Sequence, residues 1–223
     1  MDLKDLIAIY ELKKKEYGNL TYKYISDIFK EIKEKHKLEC MSQKISDIEQ
    51  SWRAFKGKNL EKIIEYIIVS EVKAMGLDII NGNKLERSVN LNINLQMIKR
   101  NLCVDYGKFG LHLPDVDMVI YEPNTYKILA VLSSKVTLSE RIAQTGYWKL
   151  KLLQSKITKH IKVFFITLDE DNTLQLKKPS KKGRAIVEID TDGCYILTKN
   201  NVEISKKVKY FDELISDLKK LLK

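Results

Sequence analysis

The chain reads as an α/β protein in which an N-terminal helical region precedes a central mixed β-sheet flanked by helices. Three observations carry that reading. Amphipathic helical spacing prevails up to about residue 85, strand-length apolar runs take over beyond it, and a helical pattern separates those runs. Nine Gly and three Pro among 223 residues favour long regular elements over a loop-rich sandwich. We divide the chain into residues 1–50, the helical region, and residues 51–223, the main domain.

Residues 2–17 and 20–38 have the pattern of two amphipathic helices broken at Gly18-Asn19. In the second, Tyr24, Ile25, Ile28, Phe29 and Ile32 recur at helical spacing. It serves either as a layer of a helical bundle or as a DNA-contacting helix. A further helical stretch passes through Ile45, Ile48 and Trp52 to an expected break at Gly57. The strongest helix follows, with Leu60, Ile63, Ile64, Ile67, Ile68, Val72 and Met75 on one stripe and Gly76 as its stop.

Residues 115–121 and 126–134 are strand-like and joined by the turn-forming Glu122-Pro123-Asn124-Thr125. A helix is expected over 138–154, where Thr137-x-x-Glu140 has the capping-box pattern. Residues 162–168 are almost wholly apolar, as in a strand covered on both faces. A basic loop comes next, then short strands at 185–190 and 194–198 around Thr191-Asp192-Gly193, and a helix at about 209–222.

Composition narrows the function classes. With 44 % hydrophobic and 31 % charged residues, the chain is neither disordered nor low-complexity. No apolar run nears the ~20 residues of a membrane span, and the polar start is unlike a signal peptide, so a soluble, cytoplasmic protein without a membrane partner is expected. Cys40, Cys103 and Cys194 are scattered and suit free thiols in a reducing compartment. Forty Lys+Arg against thirty Asp+Glu give a net charge of +10. That excess favours a polyanionic partner, nucleic acid first and an anionic membrane surface second, although a lysine-rich proteome would produce it too.

One constellation stands out. Asp115 and Asp117 are two apart on an apolar strand and so share a face, while the next strand ends its apolar run in Ser133, Ser134 and Lys135. Adjacent acids in such a place are costly if buried unless they meet a cation; strand ends emerging into solvent explain them equally well. Glu61 and Glu65 flank the apolar stripe of the long helix, where an acid is usually a snorkelling group.

Pro114-Asp115, followed 18 positions later by Ser133-x-Lys135, resembles the signature of the PD-(D/E)XK nuclease superfamily, in the variant with Ser in the first (D/E) slot. Some Type II restriction endonucleases carry that variant. The stretch Ser133 to Lys149, SSKVTLSERIAQTGYWK, is similar to what restriction enzymes place after the catalytic strand, and Ser51-Trp52-Arg53 with Gly57-Lys58-Asn59-Leu60-Glu61 is similar to their lead into the first core helix. The resemblance covers roughly residues 51–168.

It implies a restriction-endonuclease-like fold for residues 51–223 and Mg²⁺-dependent, sequence-specific cleavage of double-stranded DNA to 5′-phosphate ends. It implies, too, a homodimer and a cognate DNA methyltransferase as functional partner. Asp115 is then the first metal ligand, Asp117 the close second, and Lys135 the group that orients the attacking water. Ser133 cannot supply the missing acid's charge. Glu140 is the candidate to supply it by folding back, or it simply caps the helix after Thr137. Glu61 resembles the acid of the superfamily's first core helix, with Glu65 as alternate. Arg141, Gln144 and Trp148 line one side of the following helix and face either DNA or the protein surface. Gln144-x-x-Tyr147 resembles, one residue short, a QxxxY element of related nucleases. Lys177, Lys178, Lys181, Lys182 and Arg184 either contact phosphates or form a solvated charge run. A repair or mobile-element nuclease of the same superfamily, and an inactive DNA-binding module, are the alternatives.

Overall fold

A computed structural model describes residues 3–87, 90, 92–138 and 141–222. Helices α1 (Leu3–Tyr17) and α2 (Ile25–Ser42) are linked by a 3₁₀ segment, Gly18–Tyr24. The long α3 (Ile48–Ala74) leads into β1 (Asp78–Asn81), α4 (Gly82–Arg87) and α5 (Ile93–Leu102). A two-stranded ribbon, β2 (Val104–Asp105) and β3 (Leu111–His112), precedes β4 (Met118–Tyr121), β5 (Ile128–Lys135) and α6 (Arg141–Leu153). The chain closes with β6 (Lys162–Thr167), α7 (Lys182–Asp190), β7 (Gly193–Ile196), β8 (Val208–Tyr210) and α8 (Glu213–Lys220).

Six strands form one sheet in the order β1-β4-β5-β6-β7-β8. The β1-β4-β5 half is antiparallel and the β5-β6-β7-β8 half parallel, so the sheet is mixed as expected. Side-chain alternation sorts the core into two faces. Met118, Ile120, Leu132, Phe164, Ile166 and Tyr195 pack with Leu6, Phe29, Ile64, Leu214 and others from α1, α2, α3 and α8. On the opposite face Val119, Val131 and Val163 meet α4, α5 and α6, and Phe165, Cys194 and Ile196 meet α6 and α7. β5 and β6 are buried along nearly their whole length, which explains their continuous apolar sequence.

Local signals account for several boundaries. Asp47 Oδ1 accepts the Gln50 N–H at 2.8 Å and caps α3, which stops before Gly76 at φ +74°. Asn92 caps α5 in the same way, accepting from Leu95 N–H at 2.9 Å.

Four expectations are corrected. Gly57 does not break a helix: α3 runs through it, because Trp52, Leu60 and Ile63 on either side bury one continuous stripe. Residues 185–190 belong to α7, not a strand; Arg184 and Val187, three apart, are its buried positions, which is helical spacing. The basic loop accordingly ends at Lys181. Residues 209–222 split into β8 and α8, and Asp115 and Asp117 precede β4 rather than lying in it. Glu140 and its proposed cap of Thr137 lie outside the described residues.

Candidate active site

The site forms where the antiparallel and parallel halves of the sheet meet. Because β4 and β5 are antiparallel, the entry to β4 lies beside the exit of β5, and Asp117 N–H donates to Leu132 O at 3.0 Å. On the other side Gly82 N–H donates to Asp117 O at 2.9 Å. Asp117 is thus fixed by backbone bonds on both flanks.

Its carboxylate is buried, at 6 % exposure, and satisfied. Oδ2 accepts from Ser134 N–H at 2.5 Å, Ser134 Oγ at 3.3 Å and Lys135 Nζ at 3.0 Å; Oδ1 accepts from Lys135 Nζ at 3.2 Å. A buried charge needs such partners, and the ammonium of Lys135 supplies the opposite charge. Glu61 on α3 stands beside them. Burial first, then the charge of Asp117, pushes its carboxyl up to about 7 against the opposing pull of Lys135; Asp115 adds a smaller push. Glu65, one turn on, is raised by burial.

Asp115 is exposed, and its Oδ2 accepts from Gln144 Nε2 on α6 at 2.8 Å. The two acids therefore differ: Asp117 holds the lysine, and Asp115 lies at the rim against α6. Ser133 is buried on the same strand face as Lys135. Glu61, Asp115, Asp117 and Lys135 are brought together; Glu140 is outside the described residues, and Arg141 is placed only as the first residue of α6. Among the described residues, no group of three His, Cys, Asp or Glu side chains forms a ready metal cluster.

The other expected DNA contacts separate. Trp148 is half-buried against the core, with its indole N–H buried and unpartnered among the described residues. Lys177, Lys178, Lys181 and Lys182 are exposed. Arg184 is not: at 1 % exposure its guanidinium donates to Leu174 O, to Glu203 O at 2.7 Å and to Glu188 at 2.9 Å. It ties three segments together and has no free face for a phosphate, so it leaves the set of expected DNA contacts.

Sequence reasoning did not single out Ser134 as a partner of Asp117, nor Gly82 as its backbone clamp. Parity along β5 placed Ser134 on the face opposite Ser133 and Lys135, yet both its N–H and its Oγ reach Asp117.

A family model described as BsaWI restriction endonuclease type 2 matches residues 94–217, a span that includes both acids and Lys135. MjaVIP of Methanocaldococcus jannaschii, a type II restriction enzyme by name, is 34 % identical over 98 % of this chain and 93 % of its own length. HpyAORF263P of Helicobacter pylori, likewise a type II restriction enzyme by name, is 37 % identical over 70 % of this chain and 77 % of its own. Among solved structures, BsaWI in a pre-specific complex with DNA superposes with a TM-score of 0.47 at 15 % identity, covering 96 % of this chain and 79 % of that one. The family model and the relatives define a type II restriction endonuclease, a nuclease that cleaves DNA at specific sequences. The chain belongs to the BsaWI restriction endonuclease family. Enzymes of this class generally use divalent metal ions.

Proposed function

We propose that the protein cuts double-stranded DNA with Mg²⁺, leaving 5′-phosphate and 3′-hydroxyl ends, as a homodimer with one site for each strand. A cognate methyltransferase would protect the cell's own sites. The observation that carries this reading is the Lys135 ammonium held at 3.0 Å from the buried Asp117 carboxylate, with Glu61 beside it.

The donor set fits the ion. Asp117, Glu61 and Asp115 offer hard carboxylate oxygens only, and a divalent cation would relieve the charge of Asp117 that pushes the Glu61 carboxyl up. Few protein donors suit Mg²⁺, which keeps several of its waters. Bound there, the ion would lower the pKa of a water and neutralise charge at the phosphorus.

The chain's own groups do the rest. Lys135, fixed by Asp117, presents its remaining N–H donors to the attacking water and to a non-bridging phosphate oxygen. The water gives up a proton to solvent as its oxygen bonds to phosphorus, the bond to the 3′ oxygen breaks, and that oxygen takes up a proton from solvent. Asp117 keeps Lys135 aimed. Ser133 contributes no charge, so the described acids that serve the site are those of the segment before β4 and of α3.

Incubation of the protein with plasmid and unmethylated genomic DNA, with Mg²⁺ or with EDTA, tests this reading. Discrete fragments are expected with Mg²⁺ alone, and Lys135→Ala should lower the rate at least about a hundredfold while leaving DNA binding intact. Binding without cleavage in any condition, or a featureless smear, overturns it.

A further inference from the structure

Beyond the carboxylate–lysine cluster, the same edge of the sheet opens into a cavity of about 460 Å³. Lys23, Lys30, Lys33, Lys56 and Lys199 line it, together with Trp52. They come from the N-terminal helices, from the start of α3 and from the loop after β7; the loop after β6 completes the wall with Leu168, Glu170 and Asn172.

The lining is electropositive. Only Asp27 and Glu170 oppose the five lysines, and counting Glu49, which pairs with Lys33 at 2.9 Å, still leaves the cations in excess. Asp27 is shared by Lys199 at 2.8 Å and Lys30 at 3.6 Å. Those two side chains keep 57 % and 75 % of their surface exposed, so they can turn to a ligand with little loss.

The cavity is linked to the site through two of its lining residues, Lys56 and Glu170. Lys56 is on α3, five positions before Glu61, and its ammonium meets Glu170 at 2.5 Å. Glu170 N–H in turn donates to Val136 O, next to Lys135. A strand whose phosphate sits at Lys135 would have its neighbouring phosphates along this wall.

Resting on the function proposed above, we infer that the cavity holds backbone phosphates of the DNA on one side of the cut, which makes α2 and the 3₁₀ segment before it part of the DNA-binding surface. The chemistry fits a polyanion better than one small anion. Lysines are separate point charges, spread here over several segments, and form no converging fork around a single phosphate. Such contacts add affinity and carry no base sequence.

The test is the salt dependence of duplex binding in EDTA, where no cutting occurs. Each phosphate contact contributes about 0.9 to the slope of log affinity against log salt. The triple variant Lys30→Gln/Lys33→Gln/Lys199→Gln should flatten that slope by about 2–3, while Lys14→Gln/Lys73→Gln/Lys127→Gln, with the same loss of charge elsewhere, should leave it unchanged. Lys30→Gln alone should flatten it by about 1 and guards against a folding defect in the triple variant. An unchanged slope in the cavity variants, or equal flattening in both triples, overturns the inference. If the native protein binds no DNA at all, the function proposed above fails with it.

Discussion

Asp115 and Asp117 differ by one side chain's surroundings. Both follow Pro114 closely, yet only Asp117 is buried and holds Lys135, while Asp115 meets Gln144 at the surface. Glu61 gives this site a measurable signature. Its carboxyl is raised from 4.5 to about 7, so between those values the folded protein holds a proton that the unfolded chain has released. Without metal, stability therefore falls as pH rises from about 4.5 to about 7. Glu61→Gln removes the penalty. After discounting for the partial exposure of the carboxyl, the gain at pH 8 should be about 1 kcal/mol, or about 2–4 °C in Tm, with none at pH 4. Thermal melts in EDTA at the two pH values measure this, and a variant less stable than the native protein at pH 8 refutes the assignment.

At the scale of elements, the site depends on how closely β1 and α4 approach the entry to β4. A Cβ at Gly82 would lie 1.8 Å from Val116 O, between the two acids in sequence. Backbone cannot yield as a side-chain tip can, so Gly82→Ala must displace the segment 115–117. A loss of about 3 kcal/mol is expected, about 6–12 °C in Tm, with a matching fall in cleavage rate. Calorimetry and a cleavage assay on the same variant test this; native Tm and rate would show that the segment is not clamped there. Gly57 shows the opposite case. Nothing lies within 4 Å of its missing Cβ, and the ~1 kcal/mol that glycine costs a helix is outweighed by the apolar stripe of α3.

Across the whole molecule, one core cluster joins the N-terminal helices to the sheet. Leu6, Tyr10, Ile28 and Phe29 share it with Trp52, Ile64, Met118 and Ile166. Residues 51–223 alone would expose that face of α3. The fragment should melt without cooperativity and bind a hydrophobic dye, whereas the full chain should not; a sharp transition near the full-length Tm would show that residues 1–50 are separable. The net charge of +10 acts at this scale as well, and its uneven use matters more than its size. Arg184 is consumed inside the protein, while Lys23, Lys30, Lys33, Lys56 and Lys199 line the cavity.

Periodicity was enough to read α1, the apolar stripe of α3, the two central strands and the break at Gly18, because burial on one or both faces writes itself into spacing of 3.6 or 2 residues. The polar ends of two neighbouring apolar runs pointed to an acid meeting Lys135, but the acids precede β4 rather than lying in it, so strand parity did not place them. Residues 185–190 were not, since a short run of Ala185, Ile186, Val187 and Ile189 fits either period until a neighbour decides which side chains are buried. Nor could spacing tell which of Asp115 and Asp117 meets Lys135. That depended on the antiparallel register of β4 and β5, which brings the Ser134 N–H and the Lys135 ammonium to one carboxylate. Local pattern sets which face a residue takes; only the packed chain sets which distant group waits there, and charge and hydrogen bonding act through that second fact.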